Sequence, residues 1–284
     1  MEDFTVLIGS KGGPAIRPGS SMPTSNLLRL GGRNIVVDCG LGVSAGVVSQ
    51  GVSLSEIDLI VITHLHSDHY LELGPMIHTA WTAGLKQPLR VIGPAGLDAY
   101  WDGFLASMAF DIELRLADEG RPDLRALIEI EEITEGTTDL GGGLILKVMR
   151  NVHPPIDDSF ALRFEAGEKA VVFSGDTAPM AEMAEFARGA DLLVHEAMLL
   201  AAVDALCARV GNGDDRLKRH LLRSHSAVEE VARIATEAGV GALALNHLIP
   251  GDDPDFGPQH WHEAIGDLWR GPLHLGHDRL RIEI

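Results

Sequence analysis

The chain has few cysteines, few aromatic residues and no long apolar run. Only Cys39 and Cys207 occur among 284 residues, which excludes a disulfide scaffold and fits a reducing, cytoplasmic setting. No apolar stretch approaches the roughly 20 residues that a membrane-spanning helix needs. The chain begins Met1-Glu2-Asp3, which is acidic where a secretory signal would be basic, so we expect a cytoplasmic protein.

Basic residues are scarce relative to acidic ones. The chain has 23 Lys and Arg against 41 Asp and Glu, a formal net charge of -18 that is spread along the sequence. Affinity for nucleic acid depends on Lys and Arg that neutralise phosphates, and no Lys/Arg cluster stands out. The composition therefore argues against a nucleic-acid partner.

A dense group of metal-binding side chains directly follows the apolar run Leu59–Ile62. It contains His64, His66, Asp68 and His69. Imidazoles and carboxylates are donors that zinc prefers. His64 and His66 project to the same side of an extended segment and can chelate one ion. A helix that starts after them would turn Asp68 and His69 toward a second point, so the spacing predicts two neighbouring metal ions.

Other apolar runs also end in polar residues that could bind a metal or transfer a proton. These residues are Asp38, His153, Asp176, His195 and His247. Strand ends that meet on one rim of a sheet would combine them in a single site. The Gly/Pro/Ser loop Gly12–Ser21 is of a kind that could border its mouth. No repeat and no low-complexity tract divides the chain, so we expect one domain over residues 1–284.

In this order, the motifs resemble the metallo-β-lactamase superfamily. The resemblance covers nearly the whole chain and rests on Asp38-Cys39-Gly40, the cluster at 64–69, His153, Ser174-Gly175-Asp176-Thr177 and His247. It implies an α/β fold, namely a four-layer αββα sandwich with two mixed β-sheets flanked by helices. It also implies a metal-dependent hydrolase.

The resemblance implies a ligand set for two Zn2+ ions per chain, with Mn2+ or Fe2+ as alternatives. The first ion would be held by His64, His66 and His153, and the second by Asp68, His69 and His247, with Asp176 bridging the two. A hydroxide shared by the ions would attack the substrate, and Asp68 counts among the catalytic residues. Asp38 would orient a ligand, the alternative being a turn aspartate.

Two further elements are similar to those of the ribonuclease Z-like branch. His195-Glu196-Ala197 ends a predicted strand, and His225 precedes the predicted helix Ser226–Ala238, for which Ser226 and Glu229 predict a capping box. The branch uses a histidine near the helix start as general acid, so His225 would donate a proton and Glu196 would orient it. A helix-cap neighbour is the alternative for His225. Relatives in this branch are commonly dimers, which leaves a homodimer open.

Ribonuclease Z itself differs from this chain in one interval. Residues 154–175, 22 positions, separate His153 from Asp176, which leaves no room for the long tRNA-gripping arm of that enzyme. The shorter arylsulfatase-like and other small-molecule hydrolases of the same branch resemble this chain more closely than ribonuclease Z does. The sequence therefore predicts a dinuclear zinc hydrolase of a small-molecule ester, with a phosphodiester or sulfate ester favoured.

Alternative functions remain open at this point. A lactonase or another small-molecule hydrolase would use the same metal site, and a tRNA 3'-end endonuclease is disfavoured by the acidic charge and the missing arm. A non-catalytic binding protein would be expected to have lost ligands, and none is missing. Flavodiiron oxidoreductases of the same fold typically have a glutamate where this chain has Ser67, which argues against that class.

Overall fold

Fourteen strands in the computed structural model, which describes residues 2–284, form two seven-stranded mixed sheets. Met1 of the predicted acidic start lies outside the described residues. The first sheet has the order β14-β1-β2-β3-β4-β5-β6, where the strands are β1 (Phe4–Gly9), β2 (Ser25–Leu30), β3 (Arg33–Cys39), β4 (Leu59–Val61), β5 (Leu89–Gly93), β6 (Ile128–Glu132) and β14 (Leu280–Glu283). The second has the order β13-β12-β11-β10-β9-β8-β7, with β7 (Gly136–Asp139), β8 (Leu144–Arg150), β9 (Phe160–Ala166), β10 (Lys169–Phe173), β11 (Leu192–Met198), β12 (Ala242–Ile249) and β13 (Leu273–Leu275).

Ten α-helices connect or cover these strands. They are α1 (Val43–Ser49), α2 (Ser67–Tyr70), α3 (Leu73–Thr82), α4 (Leu97–Glu119), α5 (Leu124–Leu127), α6 (Glu182–Phe186), α7 (Val203–Val210), α8 (Arg216–Ser224), α9 (Val228–Ala238) and α10 (Pro258–Ile265), as found within residues 2–284. In each sheet three strand pairs are antiparallel and three are parallel. The parallel strands need crossover connections, and helices supply most of them.

Three apolar clusters lie between the layers of helices and sheets and hold them together. The cluster between the sheets includes Leu28 and Val37 from one sheet and Phe164 and Phe173 from the other. Apolar residues alternate along strands such as β8, so that one face of each strand is buried there. Separate clusters fill the space between the first sheet and α1, α3 and α4, and between the second sheet and α6, α9 and α10. The predicted αββα sandwich is confirmed.

The start of α9 differs from the prediction. The helix begins at Val228, its N-cap is Ala227, and no side chain caps it. The hydroxyl of Ser226 instead donates to the carbonyl of Thr177 over 2.8 Å, and its backbone N–H donates to Glu196. The predicted capping box between Ser226 and Glu229 was therefore wrong, because the hydroxyl and the backbone N–H of Ser226 bond to Thr177 and Glu196 near the site.

Within residues 2–284, no helix combines the length and the hydropathy that crossing a membrane requires.

Candidate metal centre

All seven predicted metal ligands meet at the ends of strands from both sheets. His64 follows β4, His66 is the N-cap of α2, Asp68 and His69 lie in the first turn of α2, His153 follows β8, Asp176 follows β10, and His247 lies in β12. All of them are buried except His66, which is partly exposed. The predicted convergence of strand ends therefore takes place.

Two β-bulges aim side chains into this cluster. In β12, Asn246 pairs with Glu196 and Leu248 pairs with Ala197, so His247 is an extra residue in the described register. Asp38 is the extra residue of β3 in the same way. Both adopt a positive φ, 42° for His247 and 63° for Asp38, which is uncommon for residues other than glycine. A bulge turns one side chain away from the strand's alternation, here toward the site.

The first ligand group has the spacing of a metal site. The Nδ1 atom of His66 lies 3.1 Å from Nε2 of His64 and 3.0 Å from Nε2 of His153. Oδ2 of Asp176 lies 3.7 Å from Nε2 of His64 and 3.9 Å from Nε2 of His153. Four donors about 2.0–2.1 Å from a tetrahedral zinc ion are about 3.3 Å apart. The observed distances bracket that value.

The second group is equally close and shares one atom with the first. Oδ2 of Asp68 lies 3.6 Å from Nε2 of His69 and 3.3 Å from Nε2 of His247. Oδ2 of Asp176 lies 3.3 Å from Nε2 of His69 and 3.0 Å from Nε2 of His247. A single carboxylate oxygen therefore faces both groups, which is the arrangement expected of a bridging ligand.

Hydrogen bonds behind the ligands leave lone pairs directed at the centre. Nδ1 of His153 donates to the carbonyl of Ser224 over 2.9 Å, and Nδ1 of His64 lies 3.1 Å from the hydroxyl of Thr63. In these tautomers Nε2 of His64 and Nε2 of His153 carry no proton and can only accept. Both face Nδ1 of His66, which has at most one proton and so cannot donate to both. Lone pairs that converge in this way fit a cation between them.

The second group contains a buried nitrogen that makes no hydrogen bond among the described residues, although two carboxylate oxygens lie near it. Nδ1 of His69 donates to Oδ2 of Asp38 over 2.8 Å, while its Nε2 is buried without a hydrogen bond among residues 2–284. Buried polar atoms in folded proteins are nearly always satisfied, so an orphaned imidazole nitrogen among carboxylates fits an ion. The donor set therefore suits a metal at both points.

The two groups differ in charge. Burial lowers the pKa of His64, and it lowers the pKa of His153 to about 4. Burial also acts to lower the pKa of His247, but the carboxylate of Asp176 outweighs it and raises that pKa to about 10. The pKa of Asp176 is held well below its usual range, because His247 and His69 outweigh the opposing effect of burial. In the metal-free protein, the three imidazoles of the first group are thus neutral, whereas His247 in the second group carries a proton.

His225 and Glu196 lie beside the cluster as a pair. Nδ1 of His225 lies 3.2 Å from Oε1 of Glu196, which also accepts the backbone N–H groups of Thr177 and Ser226 at 3.1 and 3.0 Å. These donors fix the carboxylate, and the carboxylate fixes the imidazole. The ring of His225 stacks on that of His247, with centroids 5.4 Å apart.

His195 does not join this group. It is fully buried in β11, and its Nδ1 contacts the backbone carbonyl of Glu196 at 2.7 Å. The histidine that lies beside the cluster is His225, whose ring is 5.1 Å from that of His153 and 5.4 Å from that of His247, centroid to centroid.

A cavity of about 440 Å³ opens above the cluster. His66, Asp68, His225 and His247 form its floor. The expected loop lines one side through Gly12, Gly13, Pro14, Ala15 and Arg17. Among the charged and imidazole side chains that line the cavity outside the floor and this loop, Lys11 and His220 were not predicted. His220 could have been found from the spacing of Leu217, His220, Leu221 and Ser224 (i, i+3, i+4, i+7), which places all four on one face of α8.

Helix α8 also corrects the expectation that no basic cluster stands out. It carries Arg216, Lys218, Arg219 and Arg223 within nine residues. Three of them pair with acidic neighbours, at Asp214, Asp204 and Asp215 respectively. Their charge is therefore largely compensated within the helix's own surroundings.

Comparison with known proteins gives a consistent family. The family described as Anti-Pycsar protein Apyc1 matches residues 8–239. Ribonuclease Z of Mycobacterium sp. (strain KMS) is 33% identical over 268 residues, which covers 92% of this chain and 89% of that protein. The metallo-beta-lactamase fold protein YhfI from Bacillus subtilis superposes with a TM-score of 0.72 at 20% identity, with 100% of both chains covered. The short form of human tRNase Z superposes with a TM-score of 0.67 at 19% identity, with 98% of both chains covered.

The relatives' name conflicts with two expectations from the sequence. Ribonuclease Z acts on RNA. The sequence analysis instead predicts a small-molecule substrate and no nucleic-acid partner. The site, the fold and the relatives agree on the chemistry, which is that of a metal-dependent hydrolase. The chain belongs to the ribonuclease Z-like hydrolases of the metallo-β-lactamase superfamily, within the family described as Anti-Pycsar protein Apyc1.

Proposed function

We propose that the chain is a phosphodiesterase that holds two zinc ions, with manganese or iron as alternatives, and hydrolyses a small phosphodiester. One observation carries the proposal. A single oxygen of Asp176 lies 3.0–3.9 Å from the nearest donor atoms of both ligand groups, and His225 lies beside them with its Nδ1 held by Glu196. When bound, the metal ions supply an activated water and the positive charge that stabilises a phosphoryl transition state.

The chain's own residues position this chemistry. Asp38 holds the ring of His69 in one orientation through the bond to its Nδ1. The backbone N–H of Gly13 donates to Oδ2 of Asp68 over 2.9 Å, which ties the mouth loop to the ligand group. Such supporting contacts keep the ligands in place without relaxation when substrate binds.

We propose that His225 serves as the proton donor. Its Nδ1–H is directed at Glu196, so its Nε2 is the atom available to the cavity that it lines. In that role it protonates the oxygen of the departing alcohol, a contribution of about 10²–10⁴ in rate for general acid catalysis. Glu196 and Asp68 complete the proposed catalytic set.

Several features support a small phosphodiester as the substrate. The bonds that enzymes named ribonuclease Z cleave are phosphodiesters, which favours this class over sulfate esters and lactones. The cavity of about 440 Å³ lies toward the small end of ligand pockets, which span roughly 300–1,000 Å³. The net charge of -18 disfavours a long polyanion.

A second candidate is an RNA 3'-end endonuclease, which the name of the relatives favours. The ribonuclease Z of Mycobacterium marinum is 32% identical over 287 residues, covering 100% of this chain and 99% of that protein. No long insertion therefore separates the two, and the short interval between His153 and Asp176 does not distinguish this chain from that relative.

The test compares four substrates on zinc-loaded protein, namely bis-p-nitrophenyl phosphate, p-nitrophenyl sulfate, a lactone and a precursor tRNA. We expect the highest kcat/KM on the phosphodiester. Asp176→Asn should reduce that rate at least 10³-fold, whereas Asp157→Asn, at an exposed carboxylate on the neighbouring turn, should leave it unchanged. Faster cleavage of the precursor tRNA selects the second candidate, and hydrolysis of the sulfate or lactone alone contradicts both.

A further inference from the structure

The cavity above the metal centre has one apolar wall. It is built from α7 and α8 and consists of Leu206, Val210, Leu217 and Leu221, with Ile249 of β12 beside them. Leu206 and Leu217 pack on a small apolar cluster that includes Leu221 and Ile249. The wall is thus an ordered surface and part of the same cavity as the metal ligands.

The opposite side of the cavity is a polar loop. Lys11 is buried, and its Nζ donates to the backbone carbonyls of Gly13 and Ala15. Its charge is therefore used to hold the loop in place. Arg17, at the far end, is exposed and also lines the cavity. The cationic side chains of the cavity, Lys11 and Arg17, thus lie on this side, whereas His220 is the one polar side chain among the residues by which α7 and α8 line the cavity.

The apolar wall leads directly to the proposed proton donor. Helix α8 ends at Ser224 and its C-cap is His225. The ring of His220, one turn earlier, lies 5.9 Å from the ring of His225. A group that receives a proton from His225 therefore departs beside α8, and the body of that group must lie against Leu217 and Leu221.

We propose that the α7–α8 wall is the subsite for the leaving group, and that the substrate's departing alcohol has an uncharged, largely apolar body. This inference rests on the proposed phosphodiesterase function. In the reaction, the water oxygen bonds to phosphorus and keeps one proton, and the bond from phosphorus to the alcohol oxygen breaks. That alcohol oxygen takes a proton from His225, and the second proton of the water passes through solvent and restores His225. A departing RNA strand would bring further phosphates against an apolar wall, where they would lose hydration without compensation.

The experiment uses two diesters on the zinc-loaded full chain. Bis-p-nitrophenyl phosphate and methyl p-nitrophenyl phosphate share p-nitrophenol as leaving group and differ in the ester group that stays on phosphorus. Leu217→Ser should raise KM about tenfold for both substrates while changing kcat little, since a lost apolar contact in a binding pocket typically costs tenfold or more. Val210→Ser, at a residue that is already 38% exposed, should raise KM severalfold without affecting the fold.

Leu222→Ser is the matched control, because Leu222 lies on the outer face of the same helix and is 47% exposed. It should leave KM within twofold of the unchanged protein, and the metal content of all three variants should equal that of the parent. The inference is overturned if Leu217→Ser and Val210→Ser raise KM no more than Leu222→Ser does, in protein that still hydrolyses the diesters. It is also overturned if KM rises for the bis ester alone, which would place the retained group on the wall. An unchanged protein that hydrolyses neither diester contradicts the proposed function itself, and the inference falls with it.

Discussion

Nδ1 of His69 lies 2.8 Å from Oδ2 of Asp38, and both side chains are buried. The contact joins helix α2 to strand β3 and leaves Nε2 of His69 as the atom that faces Asp68 and Asp176. Asp38 also accepts the backbone N–H and the hydroxyl of Thr63, so its carboxylate is fixed from two sides. The orientation of one ligand thus depends on a residue that does not itself face the centre.

Asp38→Asn should weaken metal binding by about 10–100-fold, the usual cost of altering a residue that supports a metal ligand. Asparagine tolerates the positive φ of this position, so the backbone should be retained. A competition titration with a zinc chelator measures the effect. Asp58→Asn is the control, because this exposed aspartate accepts the backbone N–H of Asn34 near the start of the same strand. Equal zinc affinity in the two variants would contradict the role given to Asp38.

Removal of the proton donor should matter most for poor leaving groups. His225→Ala should slow hydrolysis of a diester with an alkyl leaving group by about 10²–10⁴. The same change should slow release of p-nitrophenolate far less, because that anion departs without a proton. The ratio of the two rate losses is the measurement. A similar loss for both substrates would indicate that His225 only supports the fold or the metal site.

The two metal positions should respond differently to pH. Burial lowers the pKa of His64, and that of His153 to about 4, so protons compete little for the first position above pH 6. Burial opposes protonation of His247 too, but Asp176 raises that pKa to about 10. An ion at the second position must therefore displace a proton at any pH below that value, and its affinity should rise at least tenfold per pH unit between pH 6 and 9. Zinc titrations across that range measure the affinity of each position as a function of pH. If both affinities changed with pH to the same extent, this account would be wrong.

Gly12 allows the mouth loop to approach the second metal position. A Cβ atom there would lie 2.7 Å from Cγ1 of Ile249 and 2.9 Å from Cε1 of His247. Gly12→Ala should displace the His247 ring, lower the free energy of unfolding by about 1–3 kcal/mol through overpacking, and weaken the second ion more than the first. Gly103→Ala, at a helical position with open space around it, should leave metal binding intact and not destabilise the fold. Calorimetry and metal titration of both variants provide the comparison.

The meeting of the seven candidate ligands could be predicted from the sequence because each follows or ends an apolar strand, and strand ends converge in this class of fold. His220 does not follow an apolar strand. Its one signal in the sequence is the helical spacing that it shares with Leu217, Leu221 and Ser224, in a segment rich in charge. Ser226 shows a local signal that tertiary contacts override, because its hydroxyl bonds Thr177 instead of capping α9. The bulge at His247 depends on its pairing with β11, which the residues of β12 alone do not specify.

The substrate was predicted less well than the chemistry. The acidic charge and the short interval between His153 and Asp176 argued against RNA, yet the relatives that match nearly the whole chain are named ribonuclease Z. Net charge describes the whole surface, whereas recognition depends on the few groups around the cavity. Those groups combine an apolar wall with a polar loop, which overall composition does not reveal.

The most direct test of the account is a zinc titration of metal-depleted protein, followed by the rate of bis-p-nitrophenyl phosphate hydrolysis. We predict no measurable hydrolysis without metal, and a rate that rises with added zinc and saturates at two ions per chain. Hydrolysis that persists in metal-depleted protein, or that reaches its maximum at one ion per chain, would contradict the dinuclear phosphodiesterase proposed for this site.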